Sequence, residues 1–590
     1  MTHPSSTPSP ASPPEFVIPP RYWSWLGWPA VRRGLGAAAV VVVGILTTLR
    51  AWHSFDDPPH RPPAQRRADG NSGHAQIDFG GQWVMGRMLA TGYGRELYHR
   101  QRQWTIVREA YPVDDESPLQ RTGIISTDEL SRHDATNLMS WFMGRDPPEW
   151  RIVGGAVVLP LAQPPLGQPL VAIALEQAAS AALTPDVIAA VNEPAIGGPL
   201  YPPVQALFYA PWGMIDSPRR AYHLFQVFAV LLVPLAGWSI SWLAQGRIPG
   251  SVATLALFFY PGMRAGLDLG QNPTISLVIL LGGWVLACRG YHVAGGMVWG
   301  LLAFKPVWAA AFIVVPLLMG RWRFLVAMLA TGAGLAVATL PLVGIASWFH
   351  WLTIGQEAAE LYQVNTNWID LSRDLQGIPR RWLLDFQQPQ HQRASAVASR
   401  WGWALWGFVF GTTVVVYGWR GDRRRPTGLS AGFLFLGAYL TCFHFMYYDA
   451  LLSAVAVAVL LADPRPFWRT KCFPIECRET VALWPPPLVA NAAPRPPLRA
   501  TLVGYINSFP LTVVATLFVV ENLLVGLELE ATLGVRRFAQ DGIAPRLQAD
   551  TGLRYPLDTF ILLALWAWCG WQLLRNKRSR WEVVERTAAE

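Results

Sequence analysis

The sequence predicts an all-α protein that crosses a membrane repeatedly, through about twelve transmembrane helices. Three observations lead there. Of 590 residues, 52 % are hydrophobic and 15 % charged, against roughly a quarter charged in a soluble domain. The apolar residues stand in long blocks. Arginines gather in short turns between those blocks, as the positive-inside rule requires. These turns account for the net charge of +9. No basic patch interleaved with aromatics occurs in a soluble-looking stretch, which excludes nucleic acid as a partner.

Residues 1–33, rich in Pro, Ser and Thr at their start, read as a disordered cytoplasmic segment without a cleavable signal peptide. The first span, 34–52, follows Arg32 and Arg33 and reads as an anchor. A first outer loop, 53–200, comes next. It opens on a polar, Pro-rich stretch and reaches IDFGGQWVMGRMLATGYGRELY at 77–98. There Trp83, Met85 and Leu89 share one side of a helix, with Gln82, Arg87 and Thr91 on more polar sides. That pattern predicts an amphipathic helix lying on the bilayer surface. The apolar pieces of 99–200, such as IVGGAVVLPL, are shorter than the roughly 17 residues a span needs. They read as a small subdomain or as surface helices.

The second span is expected at 201–216, with Pro202 and Pro203 stiffening its mouth and the chain returning to the cytoplasm at Arg219 and Arg220. The third is 221–244; the fourth, 251–267, is broken near 260–262; the fifth is 274–289. The sixth, 292–319, is interrupted at Lys305 and Pro306, and the seventh is 323–345. A second outer loop, 346–400, carries Trp348, His350, Trp351, Asn365, Asn367, Asp370, Arg373, Asp374, Arg380 and Arg381. The eighth span, 402–419, ends at RGDRRRP, the clearest cytoplasmic turn. The ninth and tenth are 428–445 and 447–462, closing a membrane domain of 34–462. Residues 463–500 form a Pro-rich cytoplasmic linker. Residues 501–590 hold the last two spans, 501–527 and 557–575, and a basic tail. This arrangement puts Arg33, Arg219, Arg220, Arg321, Arg323, Arg423, Arg424, Arg425 and Lys577 on one side but strands Arg289 on the other.

Polar groups in or beside apolar spans are the candidates for chemistry, because a charge at mid-bilayer costs roughly 2.5–3.5 kcal/mol on insertion scales. Asp78 opens the helix after the first span. It either caps that helix or serves as a general base at the lip of a membrane cavity. Lys305, before a proline inside an apolar block, either snorkels or contacts a phosphate. Gln271 and Asn272, before Pro273, suit turn chemistry or a substrate cavity. Tyr201, His444, Tyr448 and Asp449 fall at outer span ends. Arg373, Arg380 and Arg381 fit lipid headgroups or a phosphate held bidentately.

No HExxH, nucleophile elbow, Walker loop or dinucleotide fingerprint is present. No His/Cys/Asp cluster has metal spacing, so no metal site is expected from the residues, and a divalent-metal requirement stays open. Cys472 and Cys477 read as free cytoplasmic thiols.

The order IDFGGQWVMGRML, GYGRELY, LYPPVQALFYAP, LGQNPTISLVILLGGWVLACRG, AGGMVWGLLAFKP and GRWR resembles the integral-membrane glycosyltransferases of family 87. These include polyprenol-phosphate-mannose-dependent mannosyltransferases. The resemblance covers 34–345 and, more loosely, 400–462. It implies the C-type glycosyltransferase architecture, a polyprenyl-phosphate sugar as donor, usually mannose, and a lipid or glycan of the cell envelope as acceptor. The family's acid falls on Asp78, as general base. Its Gln-Asn and Lys-Pro positions fall on Gln271, Asn272, Lys305 and Pro306. On this reading the enzyme is a multi-pass cell-membrane protein surrounded by membrane lipids, with its active site on the extracytoplasmic side. The donor phosphate would be held by Lys305, Arg373 and Arg380. Tyr201, Gln271, Asn272, His444, Tyr448 and Asp449 would line the substrate cavity. The rival reading is a transporter or lipid flippase; the absence of an internal repeat and the large asymmetric first outer loop speak against it.

Overall fold

A computed structural model describes residues 29–52, 75–98, 102, 106, 151–153, 156–158, 172–174, 200–364, 369, 371–385, 394–462, 512–519 and 556–575. Helix α1 (Pro29–Trp52) and α2 (Ala75–Ala90) come first. Three short strands, Arg151–Val153, Ala156–Val158 and Ala172–Ala174, pair as an antiparallel sheet in that order. The helices then run α3 (Pro203–Gly213), α4 (Pro218–Leu243), α5 (Gly250–Phe258), α6 (Met263–Asp268), α7 (Pro273–Cys288) and α8 (His292–Gly300). They continue as α9 (Pro306–Phe312), α10 (Val314–Leu318), α11 (Trp322–Leu361), α12 (Gly377–Leu383) and α13 (Ala396–Arg420). The last are α14 (Leu429–Leu440), α15 (Ser453–Leu461) and α16 (Leu557–Arg575). Of the expected eleventh span only 512–519 is described, and it is helical. Cys472, Cys477 and the 463–500 linker lie outside the described residues, as do Asn365, Asn367 and Asp370.

Four helical segments among the described residues are long and apolar enough to cross a membrane: Arg33–Trp52, Pro218–Leu243, Trp322–Gln356 and Leu557–Arg575. Shorter apolar helices stand between them, Pro273–Cys288 and Leu429–Leu440 included.

Contacts fix the direction of each helix, and they revise the expected path twice. The first revision concerns α3. The Tyr222 hydroxyl, near the start of α4, donates to the main-chain oxygen of Ala51 at 2.9 Å, and the rings of Trp52 and His223 lie 5.2 Å apart. Helix α4 therefore starts where α1 ends. Arg219 and Arg220 stand at the end opposite Arg33, not beside it. The 11 residues of α3 reach only about 16 Å, well short of an apolar core of about 30 Å. Instead α3 runs parallel to α2, matching Gln82 with Gln205, Gly86 with Tyr209 and Arg87 with Gly213. A Cβ on Gly86 or Gly213 would collide with the partner's main chain. In a bilayer, where lipid is as apolar as leucine, such close small-residue contacts hold helices together. The two prolines and the apolar run of 201–216 read as a span, but that apolar surface is turned on protein.

Helix α2 is likewise enclosed. Phe79, Gln82, Trp83, Val84, Met85 and Met88 are all fully buried. The expected one-sided surface helix is thus an interior one. Its polar residue Gln82 faces polar groups of neighbouring segments rather than headgroups.

The second revision concerns 292–319. Helix α8 and a 3-10 turn (Leu301–Phe304) climb to Lys305, and α9 and α10 descend again. The Trp299 and Phe312 rings meet edge to face at 5.8 Å, and Arg321, after the descent, donates to the Ala287 carbonyl at 3.3 Å. The break at Lys305 and Pro306 is the apex of a helical hairpin, whose two arms run in opposite directions. Arg289 consequently joins the basic end, its guanidinium 3.5 Å over the Trp242 ring. The two revisions cancel, so the later helices run in their expected directions. The break at 260–262 is as expected: Gly262 has φ +81°, which only glycine adopts freely. Helix α11 kinks at Gly344 (φ 73°) and runs on to Leu361, so the second loop starts later than 346.

The basic end carries Arg33, Arg247, Arg289, Arg321, Arg323, Arg420 and Arg423 to Arg425. Arg247 donates to Ala462 at the foot of α15, and Trp284 to Pro426 beside that basic turn. Between the ends lies an aromatic core in which Trp284, Trp299, Phe312, Phe324 and Phe435 touch one another. Cysteines introduced for Arg219 and Trp382, both exposed, should react with an impermeant thiol reagent on the same face of the membrane, and one for Thr427 on the other. Labelling of the Arg219 position together with Thr427 would restore α3 as a span.

Candidate functional site

At the end opposite Arg33, three polar clusters meet. The first is built on the parallel starts of α2 and α3 and on the turn between α6 and α7. Half-buried Asp78 lies in the first turn of α2, where its charge suits the helix dipole. Its Oδ1 accepts a hydrogen bond from Gln271 Nε2 at 2.6 Å. Gln271 Oε1 accepts from the Tyr201 hydroxyl at 2.8 Å. The Tyr98 hydroxyl donates to the Tyr201 carbonyl at 2.6 Å. Below them Gln82 Oε1 accepts from Gln205 Nε2 at 2.6 Å and Asn272 Nδ2 at 3.1 Å, while Gln82 Nε2 donates to the Asp78 carbonyl at 3.0 Å. The acid therefore holds a tertiary contact from a segment 193 residues away, which capping alone does not call for.

The second cluster sits on the hairpin apex. Lys305 Nζ lies 2.6 Å from Asp449 Oδ1, with the two side chains 7 % and 2 % exposed, so both charges are out of water. The Tyr448 ring lies 5.2 Å from the same nitrogen. Snorkelling is ruled out by this burial. The charge expected to meet a phosphate is engaged by a carboxylate of the chain itself.

The third cluster joins the second loop to residues 441–446. Ser372 bridges Met446, and the Arg373 amide donates to Phe445 at 2.9 Å. Asp374 accepts from the Gly377 amide at 2.7 Å and lies 3.2 Å from His444 Nδ1. The His444 ring stacks on Tyr362 at 3.7 Å, and its buried Nε2 has no hydrogen-bond partner among the described residues. Arg380 donates to Gln376 at 3.1 Å. Arg373 is ion-paired at 3.0 Å with Asp558 of α16, and Arg381 donates to the Ser372 carbonyl.

Two tyrosines connect the clusters electrostatically. Burial, and after it the charges of Asp78 and Asp449, holds the Tyr201 phenol far above its ordinary range. Burial and then Asp78 do the same to Tyr362. Both remain neutral donors at any physiological pH. Asp374 shows the reverse balance: burial pushes it up, but the bond and charge of His444, the Arg380 guanidinium and the Gly377 amide together hold it below the usual carboxylate range. A depressed carboxylate contributes stability above its unfolded value of about 3.9, lost as pH falls through the folded value. Asp374→Asn should therefore be less stable than the parent at pH 7, the gap closing once pH drops below about 4. Thermal unfolding in detergent across that range checks this.

The structure thus brings Asp78, Tyr201, Gln271 and Asn272 into one network. Lys305, Tyr448 and Asp449 form a second, and Arg380 and His444 belong to a third. Arg373 turns to the C-terminal helix instead. Gln82, Gln205, Tyr98, Tyr362, Asp374 and Gln376 were not singled out by the sequence. Gln82, one helical turn after Asp78, carried a usable signal in its spacing; the others are joined by tertiary contacts that no spacing announces. Among the described residues no three His, Cys, Asp or Glu side chains gather as a metal would need.

Residues 200–443 match glycosyltransferase family 87. No curated protein and no solved structure matches the chain. The matched region is that of a glycosyltransferase family and accords with the apolar helices described above. It contains Tyr201, Gln271, Asn272, Lys305, Asp374 and Arg380. Asp78 precedes it, and His444, Asp449 and Asp558 follow it. The family 87 segment therefore meets parts of the chain outside it at each of the three clusters.

Proposed function

We propose that this protein is a multi-pass membrane glycosyltransferase that moves a hexose, mannose by preference, from a polyprenyl-phosphate sugar to a lipid or glycan acceptor of the cell envelope. The reaction takes place on the extracytoplasmic face, the face carrying Asp78, Lys305 and Asp374. The carrying observation is the half-buried carboxylate of Asp78, held from the side by Gln271 where family 87 residues converge.

Asp78 takes the proton of the acceptor hydroxyl as that oxygen attacks the anomeric carbon. The bond to the lipid phosphate breaks, with inversion, and the phosphate leaves with the electron pair. Negative charge grows on the phosphate, so cations facing it lower the barrier. Arg380, in α12, is the better placed cation, its guanidinium 3.5 Å from the Tyr362 carbonyl. Lys305, paired with Asp449, acts by holding the apex of its hairpin in place. Tyr448, Asn272 and the unpartnered His444 Nε2 supply polar lining for sugar hydroxyls.

The test is direct. Purified protein is incubated with labelled polyprenyl-phosphate sugars and an envelope lipid extract. A labelled product that forms without added nucleotide sugar supports the reading. Transfer from nucleotide sugar alone would overturn the donor class.

A further inference from the structure

Two chains of hydrogen bonds with fixed polarity end on Asp78. A carboxylate accepts only, so Gln271 has to turn its amide nitrogen to Asp78 Oδ1. Its amide oxygen then faces the Tyr201 hydroxyl, and there Tyr201 has to donate. The second chain runs from Gln205 and Asn272 through Gln82 to the Asp78 carbonyl. The sense of the Gln271 amide is thus set at Asp78, and the Tyr201 hydroxyl holds the amide oxygen in place. Tyr201 itself is anchored through its carbonyl by the Tyr98 hydroxyl. Burial keeps its phenol neutral, and the phenol's proton is engaged by Gln271 Oε1.

We propose that Tyr201 is a positioning residue for Asp78, acting through Gln271 to fix the carboxylate's orientation before the acceptor arrives. The proposal rests on the reading of Asp78 as general base. It separates Tyr201 and Gln271 from the residues that touch sugar. A base must lie within hydrogen-bond reach of the proton it removes, and small displacements of catalytic groups cost rate steeply. The Gln271 donor on one carboxylate oxygen limits rotation about the Cβ–Cγ bond. That donor keeps its aim only while its own oxygen is engaged. Removing the Tyr201 hydroxyl loosens the amide, and removing the amide takes this restraint from the carboxylate.

Three variants test this: Tyr201→Phe, Gln271→Met and the two combined, each checked for folding by gel filtration. Tyr201→Phe should lower kcat by about 3–10-fold, and Gln271→Met by about 10–100-fold, the scales for losing a neutral and a charge-assisted bond. The donor KM should stay unchanged in both. The double variant should be no slower than Gln271→Met, because Tyr201 then has nothing to act through. Multiplied losses in the double variant, or a rise in donor KM at constant kcat, would make the pair substrate contacts and overturn the proposal. If Tyr201→Phe does not fold, Gln271→Met alone still decides between lost kcat and raised KM. An Asp78→Asn enzyme that kept its turnover would bring down the base assignment itself. An inactive Asp78→Asn beside multiplied losses would remove only the role given to Tyr201.

Discussion

Asp78→Asn is expected to insert and fold like the parent and to lose transfer by roughly a hundredfold or more, the usual scale for a general base. The substitution keeps shape. An asparagine oxygen still accepts from Gln271 Nε2, and Asn suits a helix start about as well as Asp. The lost charge at the start of α2 costs about 0.3–1 kcal/mol through the helix dipole, too little to unfold the chain. What disappears is the ability to take a proton. Capping and catalysis thus predict different outcomes for one substitution. Initial rates at saturating donor, with yield and monodispersity as controls, decide between them. A folded Asn variant with near-parental turnover would take Asp78 out of the chemistry.

Lys305→Met has the second largest expected effect, and it falls on stability. Asp449 would be left as an unpaired charge, 2 % exposed, beneath the hairpin apex. Breaking one partner of a buried pair costs about 3–5 kcal/mol, whereas replacing both with apolar residues of like volume is often neutral or better. Lys305→Met should therefore unfold readily in detergent, and Lys305→Met with Asp449→Leu should recover most of the loss. Equal stability of the single variant and the parent would show that water or lipid headgroups reach Asp449, and would reopen a direct phosphate contact for Lys305.

Much of the helical layout was legible because apolar block length and Arg placement are themselves the physics of insertion. Spans 221–244 and 557–575 coincide with α4 and α16 to within a few residues, and 402–419 lies inside α13. The break at Lys305 was legible too, but not its meaning. A proline after a cation marks an interruption equally well in a bent helix and in a hairpin. The contact of Trp299 with Phe312 and the return of Arg321 to Ala287 tell them apart. Helix α3 misled for a related reason. Hydropathy records that a surface is apolar, not whether lipid or protein covers it, and α3 is covered by α2. At the site, residues at helix starts and beside prolines stood out. Their partnerships did not, since Asp78 with Gln271, Lys305 with Asp449 and Asp374 with His444 each join segments far apart in the chain.

The ion pair between Arg373 and Asp558 has a temporal side. Ribosomes build chains from the N-terminus, and residue 558 follows residue 373 by 185 positions. Until α16 has been made and inserted, the Arg373 guanidinium lacks this counter-charge, and the Thr559 hydroxyl that donates to the Arg373 carbonyl is missing as well. The loop carrying Asp374 and Arg380 therefore takes its final form only after nearly the whole protein has left the ribosome. Assembly of this end of the molecule is a late event in biosynthesis, completed by a helix that lies beyond the family 87 segment.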